Sequence, residues 1–318
     1  MSSRDIVVIG ASAGGAQALK TFVATLPADF QAAIFIVLHL PPYSETQMPD
    51  ILNRAGKLPA VQARNNEPFE KGHIYIAPPD RHLLLKPDRM ILETGARENF
   101  NRPAIDPLFR SAARSFGPRV IGIVMSGMLD DGTAGLQAIQ AAGGIAIVQD
   151  PEDAIYRSMP ENALDHVNVD YREPVSNIGT LLQDLIRQEI QKATQITEAL
   201  LRMQELEEVG APSVYSCPDC GGVLWELSEP NLVRFQCRVG HTYGPESLSA
   251  RQAEEVERAL WTALTALEES AAFSRRLAAR AWQRGDHQTA AHYEERMKKA
   301  EVNANRIRRL LVTGTVAQ

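Results

Sequence analysis

Three residue types able to carry out acyl transfer fall at the ends of strand-like runs. Ile6-Val7-Val8-Ile9 leads into Gly10-Ala11-Ser12-Ala13-Gly14-Gly15 and then directly into a stretch of helical spacing. This is G-x-S-x-G in a strand, turn, helix context, where small neighbours let a serine hydroxyl project from the top of a sheet. Free N–H groups at the helix N-terminus would favour negative charge developing beside Ser12. A phosphate-binding turn is the rival reading, weakened because Gly10-x-Ser12-x-x-Gly15 lacks the middle glycine of the dinucleotide fingerprint. A second run, Ile34-Phe35-Ile36-Val37-Leu38, ends at His39, and a third, residues 120–125, ends in Ser126-Gly127-Met128-Leu129-Asp130-Asp131-Gly132. Ser, His and Asp at one edge of a sheet are the parts of an acyl-transfer triad, here in a chain order unlike that of α/β-hydrolases. One aspartate alone would also read as a helix N-cap, and spacing does not separate Asp130 from Asp131.

A second cluster suits metal binding. Cys217-Pro218-Asp219-Cys220 stands sixteen residues before Cys237-Arg238-Val239-Gly240-His241. Two knuckles that each bring two donors give a Cys3His set, the closed tetrahedral arrangement of structural zinc, with no position left for substrate. The alternative is an unmetallated, redox-active CxxC. Gly221, Gly222 and Gly240 supply the turns that knuckles need. These are the only three cysteines of the chain, so no disulfide framework is expected.

Bringing three strand ends to one edge calls for parallel strands. Residues 6–9, 33–38, 74–77, 120–125 and 145–148 are rich in β-branched side chains and do not alternate with polar ones, as strands buried on both faces do. Between them, residues 15–26, 105–116 and 133–142 have helical spacing. The expectation for residues 1–187 is an α/β, doubly wound, mostly parallel sheet with flanking helices, carrying a β-hairpin inserted at 82–93. Residues 188–212 read as a helical connector, 213–245 as a zinc-ribbon-like module, and 246–318 as a helical hairpin turning at Arg284-Gly285-Asp286. The apolar stripe of that hairpin, with Leu260, Leu264, Leu267 and Ala271, reads as packed core or as a docking or dimerisation face.

Composition narrows the function. The chain has 318 residues, with 33 Lys and Arg against 39 Asp and Glu, a net charge of −6. Residues 246–318 hold 12 basic and 10 acidic groups, so neither the whole chain nor the tail offers the basic footprint of a nucleic-acid binder. No apolar run reaches the roughly 18 residues of a membrane span, and no signal-peptide pattern precedes the first strand, which points to the cytoplasm.

The motifs Ile9-Gly10-Ala11-Ser12-Ala13-Gly14-Gly15, Val37-Leu38-His39-Leu40-Pro41, Arg102-Pro103-Ala104-Ile105-Asp106-Pro107-Leu108-Phe109 and Ser126-Gly127-Met128-x-x-Asp131-Gly132 together resemble the catalytic domain of chemotaxis protein-glutamate methylesterases. The resemblance covers residues 5–187. It implies Ser12 as nucleophile, His39 as base, Asp131 as the residue that orients the histidine, and the N–H groups of Ala13 and Met128 as an oxyanion hole. It further implies hydrolysis of glutamate γ-methyl esters on a receptor or signalling protein without a cofactor, and deamidation of glutamine through the same acyl-enzyme. Leu129 stands where the family commonly has glycine. The family usually carries a phospho-receiver domain ahead of the catalytic one; here the first strand begins near residue 5, so control is expected from the region after residue 190, which could also serve a homo-oligomer. The contrasting reading is a non-catalytic adaptor in which the α/β domain, the zinc module and the helices only bind partners.

Overall fold

Gly10 follows four bulky residues in the first strand, and a Cβ there would overlap Ile105 of a helix packed across it. That close approach brings the helix against the first strand in the computed structural model, which describes residues 3–41, 46–190, 210–229 and 232–313. Seven strands form the main sheet: β1 (Ile6–Ala11), β2 (Ala33–Leu38), β3 (Ala60–Gln62), β4 (Ile74–Ile76), β7 (Val120–Val124), β8 (Ile145–Gln149) and β9 (Tyr171–Glu173). They lie in the order β3-β4-β2-β1-β7-β8-β9, and every pairing is parallel. In β1, Val7 and Ile9 face one layer while Ile6 and Val8 face the other, so both sides of the strand are covered. Helices α1 (Gly15–Ala24), α2 (Met48–Ala55) and α6 (Val175–Arg187) bury Leu19, Phe22, Leu52, Ile178 and Leu182 on the first face. Helices α3 (Ile105–Phe116), α4 (Thr133–Ala141) and α5 (Ser158–His166) bury Ile105, Phe109, Leu136, Ile139 and Met159 on the second. The α/β, doubly wound expectation is borne out.

Register matters most for the site. Ala11 pairs with Leu38, and Gly10 with both Val37 and Val124, so β1, β2 and β7 end level with one another. The hairpin expected at 82–93 is β5 (His82–Leu85) with β6 (Met90–Glu93), antiparallel. It lies on α3, where Ser111 Oγ accepts the Leu85 N–H at 3.0 Å and Ser115 Oγ donates to the Leu85 carbonyl at 2.9 Å.

Past Glu189 the expected connector falls largely outside the described residues; its last residues, from Ala211, are already strand. Strands β10 (Ala211–Ser216), β11 (Val223–Glu229), β12 (Leu232–Cys237) and β13 (Thr242–Tyr243) form a four-stranded antiparallel sheet. Its core is small: Cys217, Leu224, Phe235, Cys237, Tyr243 and Leu248, with Phe100 from the loop before α3 packed against it.

Two compact units result, residues 1–248 and residues 249–318, so the four-stranded sheet belongs to the same unit as the seven-stranded one. Helix α7 (Pro245–Gln283) starts in the first unit and runs through the second, where α8 (His287–Thr313) follows the Gly285 turn, φ +74°. Leu264, Ala271, Ala278, Ala290, Ala300 and Ala304 are buried between these two helices, and Arg275 pairs with Glu301. Among the described residues no helix is long and apolar enough to cross a membrane.

Candidate functional site

Ser12 follows β1 directly, His39 follows β2, and Asp131 lies in the loop after β7, all at the C-terminal edge where open parallel sheets place their ligands. The chain turns sharply at Gly14, φ +73°, so that α1 begins three residues past Ser12. A side chain at Gly14 would collide with Ser126 Oγ, which instead donates to the Ala13 carbonyl at 2.8 Å and ties the two loops together. Gly127 is equally constrained, since a Cβ there would come within 2.9 Å of Ser12 Cβ.

His39 bridges the other two residues. Its Nδ1 lies 3.1 Å from Ser12 Oγ and its Nε2 lies 2.7 Å from Asp131 Oδ2. Asp131 is 1% exposed. Besides His39, its Oδ2 accepts the Ile105 N–H at 2.8 Å, and its Oδ1 accepts the Asp106 N–H at 3.3 Å and Asn99 Nδ2 at 3.1 Å. Two of these donors are the first N–H groups of α3, which has no side-chain cap of its own, so the carboxylate serves as a negative charge at a helix N-terminus. Burial alone would push this carboxyl up. The hydrogen bond and charge of His39, the Ile105 N–H and Asn99 together outweigh it and hold Asp131 below the usual carboxylate range. An ionised Asp131 only accepts, so His39 Nε2 carries the proton and the Nδ1 lone pair is turned toward Ser12.

Asp130 faces the opposite way. Its Oδ1 accepts Ser247 Oγ, its Oδ2 has no hydrogen-bond partner among the described residues, and burial above all pushes it up to about 7. The geometry therefore separates the two aspartates that spacing could not. Leu129, φ +66°, is held between Ser158 Oγ, which accepts its N–H at 3.0 Å, and Asn162 Nδ2, which donates to its carbonyl at 2.9 Å. In the two loops, the N–H groups of Ser12, Gly15, Gly127 and Leu129 are engaged within the protein. Those of Ala13 and Met128, like those of Gly14, Asp130, Asp131 and Gly132, have no protein acceptor among the described residues.

Comparison with known proteins gives the arrangement its kinship. The family profile described as CheB methylesterase matches residues 7–182, more than half of the chain. The chain belongs to the CheB methylesterase family. A putative protein-glutamate methylesterase/protein-glutamine glutaminase of Leptospira interrogans is 38% identical over 178 residues, covering 56% of this chain and 92% of that protein. Protein-glutamate methylesterase/protein-glutamine glutaminase 1 of Geobacter metallireducens is 36% identical over 181 residues, covering 56% of this chain and 50% of that protein. This chain thus spans about half the length of the Geobacter relative. Among solved structures, the Thermotoga maritima CheB methylesterase catalytic domain aligns with a TM-score of 0.57 at 32% identity, covering 58% of this chain and all of that one.

Two residues on the family portion of the chain were not singled out by sequence. Asn99 touches Asp131, and its backbone at φ +47° belongs to a loop with no periodicity to read. Asp106 stood within a quoted motif with no role. Its Oδ1 accepts the Gly135 N–H at 2.6 Å, and burial, then the charge of Asp131, push its carboxyl well above the usual carboxylate range.

The cysteine cluster lies beyond the family profile. Cys217, Cys220, Cys237 and His241 each point one ligand atom inward, all within 4.8 Å of one another. Cys220 and Cys237 Sγ are 3.6 Å apart, and His241 Nδ1 lies 3.5 Å from Cys237 Sγ and 3.7 Å from Cys217 Sγ. A tetrahedral ion with bonds of ~2.3 Å to sulfur spaces its ligands by roughly 3.7 Å, so the donor set fits zinc. The same spacings are far too long for a disulfide, whose S–S length is ~2.05 Å. Each knuckle closes on backbone bonds, from the Gly221 N–H to the Cys217 carbonyl at 2.7 Å and from the Gly240 N–H to the Cys237 carbonyl at 2.9 Å. Gly221 at φ +71° and Gly240 at φ +104° take the left-handed conformation those turns require.

Proposed function

We propose that this chain is a serine hydrolase that demethylates glutamate γ-methyl esters on a receptor or signalling protein, and that it deamidates glutamine by the same route. The observation that carries this reading is the continuous line from Ser12 Oγ through His39 to Asp131 at level strand ends. Ser12 Oγ attacks the ester carbonyl while His39 Nδ1 accepts its proton; Asp131 holds the Nε2–H and stabilises the imidazolium. The Ala13 and Met128 N–H groups, with no protein acceptor among the described residues, serve as oxyanion donors. The imidazolium then protonates the leaving methoxide oxygen, methanol departs, and water deacylates Ser12 to give the glutamate carboxylate. For a glutamine substrate the leaving group is ammonia. No cofactor enters this chemistry.

Cys217, Cys220, Cys237 and His241 would hold a structural zinc ion, which when bound supplies folding energy to a module too small to stabilise itself. Three reduced cysteines gathered without a disulfide also suit a cytoplasmic enzyme. A fluorophosphonate probe distinguishes the hydrolase from a non-catalytic adaptor. The wild-type protein is expected to be labelled at Ser12 and to release methanol from a methylated receptor. Ser12→Ala is expected to lose labelling and to cut turnover by roughly 10⁴-fold or more, with an unchanged melting temperature. Near-native turnover by Ser12→Ala would refute the mechanism.

A further inference from the structure

Asn99 is 3% exposed, and all its polar groups are committed. On one side its Nδ2 donates to Asp131 Oδ1 at 3.1 Å and to Asp106 Oδ2 at 3.2 Å. On the other side its Oδ1 accepts the Gly244 N–H at 2.8 Å, and its own N–H donates to the Thr242 carbonyl at 2.8 Å. The amide is thereby oriented from behind: with Oδ1 on the Gly244 N–H, only the NH2 end can meet the two carboxyl groups. Three residues further along, Ser247 Oγ donates to Asp130 Oδ1, and Ser247 is fully buried. Gly244 sits so close that a Cβ there would fall inside the Asp130 carboxyl group. Thr242 also donates its N–H to the Arg97 carbonyl at 3.3 Å, and the Tyr243 ring packs on Phe100 with centroids 5.8 Å apart.

We infer that the 242–247 turn, which follows the cysteine knuckles and opens α7, is a positioning element for Asp131. It acts through Asn99 on the carboxylate and through Asp130 on the adjoining backbone. The inference rests on the role given above to Asp131. It extends that role to residues outside the matched family segment, which ends at residue 182. The loop after β7 is then pinned from two sides, by Ser158 and Asn162 of α5 and by the 242–247 turn. Among the described residues no hydrogen bond joins residues 242–247 to Ser12 or His39, so the contribution of the turn is to geometry and not to the chemical step itself.

The test uses the full chain carrying Gly244→Ala or Ser247→Ala. Two readouts are taken: kcat and KM on a small carboxylic ester, and the low-field proton resonance of the His39 Nε2–H, which reports its hydrogen bond to Asp131. Both variants are expected to lower kcat with KM unchanged, Gly244→Ala by roughly ten-fold or more and Ser247→Ala by less. Both are expected to shift or broaden the Nε2–H resonance. Ser247→Ala removes only an oxygen and so decides the matter if Gly244→Ala fails to fold. An unchanged resonance overturns the inference, whatever happens to turnover, as does a change confined to KM. A wild-type chain that turns over no ester would instead overturn the hydrolase reading, and the resonance would still judge the positioning.

Discussion

The Ser12, His39, Asp131 line and the Cys3His cluster are both tight constellations of side chains, yet they are assembled in opposite ways. The first gathers residues separated by 27 and 92 positions, and its distances follow from the register of β1, β2 and β7 within a sheet buried on both faces. The second gathers residues 217–241 through two glycine knuckles, over a core of six buried side chains. A long-range site inherits its accuracy from a large core and needs no ligand to keep its shape. A local site in a module with so little apolar burial depends on what binds its donors. The 242–247 turn joins the two, since it leaves the knuckle at His241 and ends on the loop that carries Asp131.

Three measurements would break or sharpen that contrast. The largest effect is expected at Asp131: Asp131→Asn removes the charge that fixes the His39 tautomer and should lower kcat by roughly 10³- to 10⁴-fold. Asp130→Asn keeps an acceptor for Ser247 and should cost far less. Steady-state kinetics on both variants settle it, and the reverse order would move the orienting role to Asp130.

Metal removal should act on one region only. Wild-type protein is expected to contain about one zinc per chain, Cys217→Ser much less, and chelation should strip hydrogen-exchange protection from β11 and β12 while β1, β2 and β7 keep theirs. Loss of protection across both sheets, or equal metal in wild type and variant, would undo the contrast.

The smallest effect is in the pH dependence of stability. Asp130, facing Ser247, Glu246 and Asp131, is pushed up to about 7 in the folded state, whereas an unfolded aspartate titrates at about 3.9. Between those values the native chain retains a proton that the unfolded chain has lost, so this group makes stability fall as pH rises from about 4 to about 7, with no further change above. Asp131, held low, acts in the other direction: the stability it contributes is present above pH 4 and lost as pH falls through its folded value. Denaturant unfolding of Asp130→Asn across that range should show a flatter decline than wild type; an identical slope would assign the decline to other groups.

Much of the fold was legible because its signals are long. β2 and α3 coincide with the runs read from sequence, and β1, β7, β8, α1 and α4 differ from theirs by a residue or two at the ends. The elements with no sequence reading, α2, β3, α5 and β9, are short and partly exposed. Helix α2 has only eight residues and buries only Met48 and Leu52, and β3 has only three with Ala60 alone buried, so neither is long enough for its pattern to stand out in the sequence.

What the sequence determined by itself is chemistry that depends on neighbours in the chain. G-x-S-x-G after a run of Ile and Val places Ser12 on a turn, His39 and Asp131 follow strands of the same kind, and two glycine-bearing knuckles bring three cysteines and a histidine together. What only the tertiary structure decided is orientation across the chain. Asp130 and Asp131 are adjacent and chemically identical, and one faces His39 while the other faces Ser247 because the loop after β7 is wedged between α3, α5 and the 242–247 turn. Asn99 gains its place by hydrogen bonds to residues 32 and 145 positions away. Local spacing encodes torsion angles, and such contacts are set by packing between elements that the chain order does not bring together.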